Sequence, residues 1–171
     1  RIISDINRSI SSTLDLDELL QEVTRSIHTQ FGYPLVHIFL LDFVSQMIVF
    51  KAGSGLKADF YEENEISYPV QAKPGLIPLT TRSRKVQLSN DISTDPNYRP
   101  DSNHDTMQGS ELSLPLQFQG EMLGVLDIQS DKPNAFSDQD VEQLEILSQS
   151  ISIALRNANL YKTSQWHRNL V

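Results

Sequence analysis

SELSLPLQFQGEMLGVLDIQS, residues 110–130, decides the fold. Its first half alternates strictly. Leu112, Leu114 and Leu116 share one face of an extended chain, and Glu111, Ser113, Pro115 and Gln117 share the other. After Gln119-Gly120 the pattern returns. Gly124, Leu126 and Ile128 share a face, opposed by Val125, Asp127 and Gln129. Two alternating runs around Gln119-Gly120 read as a hairpin, Ser110–Phe118 with Glu121–Ser130. The leucine-rich face needs a helical cover. The polar face is either the wet side of an antiparallel sheet or the floor of a polar pocket.

Downstream, Ser137 with Asp140 three residues on is a helix start. No Gly or Pro interrupts the chain from there to Val171. Leu144, Leu147, Ile151, Ala154, Ala158 and Tyr161 step by three and four, while Ile146, Ile153 and Leu160 step by seven on a different side. Two apolar sides imply two neighbours, the sheet and a partner helix; the alternative is one wide stripe with a frayed tail. Upstream, Asp15 with Glu18 caps a helix whose apolar face is Leu16, Leu19, Leu20, Val23 and Ile27, and Gly32 stops it. Before it, Ile3, Ile6 and Ile10 form a helical stripe. Leu35–Leu41 reads as a buried strand with His37 its one polar residue, and Met47–Ala52 as the returning strand. Tyr61–Glu65 reads as exposed and Ile66–Val70 as an edge strand, since Pro69 cannot donate. Leu76–Ser83 reads as a short helix if Pro78 sits in its first turn, and Val86–Ser89 as a short strand. The connection from Asn90 to Asp105 is polar and long enough to be functional.

The 171 residues fit one domain plus helical extensions, and the chain starts at Arg1, so it reads as a piece of a longer protein. A formal charge of −8 argues against a nucleic-acid partner. No run of ~18 apolar residues predicts a membrane span. The absence of cysteine removes disulfides, zinc fingers, iron–sulfur clusters and thiol catalysis, and it fits a cytoplasmic setting.

Several stretches together resemble the GAF domain, a small-molecule-sensing module of signalling proteins. They are Leu35–Asp42 after an amphipathic helix; Val86–Asp91 with Thr94-Asp95-Pro96 beyond; Ser113-Leu114-Pro115-Leu116, Gly120 and Gly124–Ile128; and Phe136–Asp140 leading to Ala154–Tyr161. Their order and spacing carry the likeness. The resemblance implies an α+β, PAS-like fold with a central antiparallel sheet of five to six strands. Terminal helices would cover one face, with loops and short helices over the other. It divides the chain into a linker helix (1–14), a GAF-like domain (15–161) and a signalling-helix extension (162–171). It also implies a ligand on the loop-covered side, a parallel homodimer through terminal helices, and an output module such as a histidine kinase or cyclase. Family members that reduce methionine sulfoxide use cysteines, and bilins are usually attached through cysteine; this chain has none. A non-covalent small molecule remains open. The cyclic-nucleotide signature is matched only in part, by Asp131-Lys132, Phe136 and Asp140-Val141.

A search for a nucleophile, a base and an orienter returns no constellation, so the expectation is that the chain is not an enzyme. His28 and His167 read as surface residues, and His37 as a satisfied core or pocket-wall histidine. The acidic loop lacks the central Gly and final Glu of a calcium loop. The candidate ligand-binding residues are therefore Asp91, Tyr98, His104, Glu111, Ser113 and Asp127. The expected function is ligand sensing in a multidomain signalling protein, with a ligand-free dimerisation and relay module as the rival.

Overall fold

Strand pairing follows the alternation. The strands are β1 (Leu35–Asp42), β2 (Met47–Gly55), β3 (Ser67–Pro69), β4 (Gln87–Ser89), β5 (Ser110–Phe118) and β6 (Glu121–Ser130). In the computed structural model, which describes residues 3, 5, 6, 15–98 and 109–170 with side chains through 158, they form one six-stranded sheet. Its order is β3-β2-β1-β6-β5-β4, and every pairing is antiparallel. Gln119 and Gly120 close the β5–β6 hairpin with φ of 50° and 81°, a backbone that a two-residue turn requires and that Gly adopts without penalty. Pro69 lies on the edge strand β3, where its missing N–H is harmless.

Helices α1 (Leu16–Phe31), α2 (Ala58–Glu63), α3 (Leu76–Ser83) and α4 (Asp138–Leu170) complete the described fold. Asp15 caps α1 by accepting from the amides of Asp17 and Glu18, and Gly32 ends it at φ 79°. At the start of α4 the bonds are reciprocal. The Asp140 amide donates to Ser137 Oγ at 3.0 Å, and the Ser137 amide donates to Asp140 Oδ2 at 3.0 Å. At ~1.5 Å per residue α4 runs about 50 Å.

Each sheet face has its own core. On one, Val36, Ile38, Leu112, Leu114, Leu116, Leu126 and Ile128 meet Leu19, Leu20, Val23 and Ile27 of α1 and Leu144, Leu147, Ile151 and Leu155 of α4. Ile6 is buried in this core too; apart from Ile3, Asp5 and Ile6, the helix expected over 1–14 lies outside the described residues. On the other face Phe39, Ile48, Met122 and Val125 pack with Tyr61 of α2 and Ile77 of α3.

Two local readings need correction. Tyr61 is not exposed: it lies on α2, which no sequence signal marked, because one turn of helix suffices to carry it against Phe39 and Phe50. His28 is half-buried, and its Nδ1 lies 2.6 Å from the carbonyl oxygen of Tyr33, since the chain doubles back at Gly32.

The two apolar sides of α4 are both visible. Leu144, Leu147 and Ile151 are buried, whereas Ile146 and Ile153 are 45% and 47% exposed. Replacing Leu126 by Ala leaves a void that packing cannot close and should cost about 2–5 kcal/mol; Ile153→Ala should stay within about 0.5 kcal/mol. Urea titration of the two variants separates the buried stripe from the exposed one.

Candidate functional site

Antiparallel register converts alternation into rows of side chains across the sheet. One row on the face beneath α3 runs Ser89, Glu111, Gln129, Leu35 across β4, β5, β6 and β1. The next runs Gln87, Ser113, Asp127, His37, Gly53 across β4, β5, β6, β1 and β2. A third is apolar: Pro115, Val125, Phe39. The face therefore changes from polar to apolar along the strands.

This polar face is dry. Glu111 is 3% exposed, Ser113 0% and Asp127 1%, so the wet-side alternative is set aside. On this side of the sheet α3 packs on β5 and β6 and buries Thr80 and Thr81. Among the described residues, Ser89 Oγ, Ser113 Oγ, Thr80 Oγ1, Asp127 Oδ1 and Gln129 Oε1 are buried without a hydrogen-bond partner. Each such atom costs about 1–3 kcal/mol of lost solvation, and folded proteins rarely leave several together.

The bonds that do form here are long. Gln129 Nε2 donates to Glu111 Oε2 and to Asp127 Oδ2, both at 3.4 Å. Burial pushes the Asp127 carboxyl up to about 6, and hydrogen bonds with Glu111 and Gln129 only partly oppose this. His37 is the opposite case. Its ring is held neutral, with its pKa brought down to about 4, first by burial and, to a smaller extent, by the Lys57 charge; its Nε2 donates to the Leu56 carbonyl at 2.9 Å. Phe50 and Tyr61 flank it, with ring centroids at 5.1 and 5.0 Å. Gly53 leaves the room this ring needs: a Cβ there would lie 2.6 Å from His37 Cδ2.

Of the six residues singled out in sequence, the structure brings Glu111, Ser113 and Asp127 together in adjacent rows. Asp91 begins the covering connection, but its Oδ1 accepts from the Ser93 amide and hydroxyl, which makes it a turn-former. Tyr98 is half-buried, with its amide on the Asp95 carbonyl. His104 lies outside the described residues. Sequence reasoning passed over Thr80, Ser89 and Gln129. Gln129 was legible from its parity with Asp127; Thr80 was not, because its position depends on where α3 docks.

A hollow of about 370 Å³ lies on the helix side between α4 and β5, lined in part by Arg84, Lys85, Leu114, Glu145 and Ser152. The hydroxyl of Ser152 is already satisfied by the Ser148 carbonyl. No group of three or more metal-ligating side chains occurs among the described residues.

The buried pair predicts a compensated pH profile. His37 favours folding above its unfolded value of 6.5, and that contribution is lost as pH falls toward 4. Asp127 behaves oppositely: its contribution is present below 3.8 and is lost as pH rises through about 6. Each displacement is worth on the order of 3 kcal/mol, so the two slopes offset. Relative to the parent chain, Asp127→Asn should gain stability with rising pH across this window and His37→Asn should lose it. Thermal melts at several pH values measure both slopes.

The comparisons place this geometry. A transcriptional activator of formate hydrogenlyase from Salmonella typhimurium is 25% identical over 174 residues, which cover 95% of this chain and 24% of that protein. The chain thus spans about a quarter of the length of the curated relatives it matches. The GAF domain of a phosphoenolpyruvate-protein phosphotransferase from Coxiella burnetii superposes with a TM-score of 0.85 at 20% identity, covering 95% of each chain. A free methionine-R-sulfoxide reductase from Neisseria meningitidis, solved with its substrate, superposes at 0.80 and 18% identity, over 94% of this chain and 89% of that one. The expectation that this chain is not an enzyme is corrected by that last likeness. The same fold serves as an enzyme scaffold, so the lack of a familiar catalytic pattern in the sequence does not set the chain apart from catalysts. The family model described as GAF domain matches residues 13–156, and the chain belongs to the GAF domain family.

Proposed function

We propose that this chain is a ligand-sensing regulatory domain of a larger signalling protein. The observation that carries this reading is the group of buried, unpartnered polar atoms on the face beneath α3. A polar molecule in the site would complete their hydrogen bonds and recover that cost. Glu111, Ser113 and Asp127 line that site, with Ser89 and Gln129 beside them; Asp91 and Tyr98 belong to the connection that follows β4. The Salmonella activator supports a signalling context, since this chain aligns with one quarter of it.

Output passes through α4. Its body to about Tyr161 belongs to the domain, and 162–171 is the extension toward the next module, a histidine kinase or cyclase in the cytoplasm. Ligand control requires unequal affinity for two arrangements of the helices. A metabolite library screened by thermal melting tests the sensing step. A ligand at a hundred times its Kd should stabilise the chain by about 2.7 kcal/mol, and Ser113→Val should abolish the shift. A complete library without any shift would end this reading.

A specific observation favours the relay reading as the second. Ile146 and Ile153, one heptad apart, are exposed on α4, which suits a parallel two-helix contact. Light scattering should give a dimer for this chain and a monomer for Ile146→Glu with Ile153→Glu. A monomeric parent would sink the dimer.

A further inference from the structure

We propose that the buried polar patch of Ser89, Glu111, Ser113, Asp127 and Gln129 takes a small organic cation, a guanidinium or amidinium head on a short apolar body. This deepens the sensing reading and rests on it.

The donor and acceptor inventory sets the sign. Asp127 Oδ1 and Gln129 Oε1 are unpartnered among the described residues, and both can only accept. The hydroxyls of Ser89, Ser113 and Thr80, all at least nine-tenths buried, can donate or accept. No orphan in the set demands an acceptor, whereas two demand a donor. Ser113 stands directly opposite Asp127, and Ser89 directly opposite Glu111, so the orphaned hydroxyls and the carboxyls occupy one patch.

Charge points the same way. Glu111 and Asp127 put two carboxyls in a buried site, hydrogen-bonded to each other. The cations among the described residues on this side are otherwise engaged. Arg82 donates to the carbonyls of Val70 and Ala72 at 2.7 and 2.9 Å. Lys57 acts on His37 and has an interaction of its own. His37 stays neutral, with Nε2 on the Leu56 carbonyl. An anionic ligand would meet like charge in a low-dielectric setting.

Shape selects the fork. Carboxyls in neighbouring rows, bridged now by one amide at 3.4 Å to each, offer a planar N–H fork two acceptors at once. Val125, Met122 and Ile77 belong to the apolar cluster on the same face, the surroundings a short alkyl or aryl body would meet.

Nuclear magnetic resonance titration of the whole chain with propylguanidinium chloride, sodium propionate and inorganic phosphate tests the assignment. Propylguanidinium should shift the amide resonances of Ser113, Asp127 and Gln129, and the two anions should leave them in place. Asp127→Asn and Glu111→Gln should each weaken the cation by about tenfold or more, with the retained spectrum showing that each variant is folded. Binding of propionate or phosphate in place of the cation overturns the proposal and leaves the sensing reading standing. Unchanged cation affinity in both variants overturns it as well. If all three probes are silent while the metabolite library yields a ligand, the cation assignment falls alone; if the library is silent too, both fall.

Discussion

The antiparallel register of β5, β6 and β1 is the constraint on which the structure depends. Because side chains alternate with a period of two, one register choice sends Leu112, Leu114, Leu116, Leu126 and Ile128 to α1 and α4 and sends Glu111, Ser113, Asp127, Gln129 and His37 to the opposite side. A slip of one residue would exchange the two sets, putting the carboxyls among the helix-facing leucines and the leucines among the buried polar groups. The large apolar core on the helix side therefore holds the polar rows in place, and it offsets the cost of keeping them dry under α3.

That arrangement also explains why the polar face is not uniform. The shift from the Ser113–Asp127–His37 row to the Pro115–Val125–Phe39 row places a hydrophilic patch against an apolar one. The aromatic cluster of Phe39, Phe50, Tyr61 and Tyr68 anchors the β2 end, with Phe39–Phe50 and Phe50–Tyr61 meeting edge to face. His37 sits at the junction: it meets Phe50 edge-on and Tyr61 at a tilt, and it stands across from Asp127. Burial shifts His37 and Asp127 toward their uncharged forms, with opposite consequences for stability as pH changes.

The fold was legible because its signals are local and repeated. Capping at Asp15 and Ser137, the Gln119-Gly120 turn, Pro69 on an edge and Pro78 in a first turn each agree with the element around them. Helix α2 escaped because Ala58–Glu63 is a short element with an uncapped start, preceded by Lys57 in a left-handed conformation. The site was half legible. Parity placed Glu111, Ser113 and Asp127 on one face, but parity cannot distinguish a wet face from a covered one. Asp91 was drawn in by its chemistry, and the structure uses that chemistry for a turn.

By itself the sequence determined which residues share a face, where the helices begin and end, and that no thiol chemistry is available to the chain. These follow from period, capping and composition, which are properties of neighbours along the chain. Only the tertiary structure decided that the polar face is buried, that Thr80 and Ser89 join it, and that several of its atoms lack partners. Those facts depend on contacts between segments far apart in the chain, among them the docking of α3 on β5 and β6 and the pairing of β4 with β5. Desolvation, unlike periodicity, is a property of the assembled molecule.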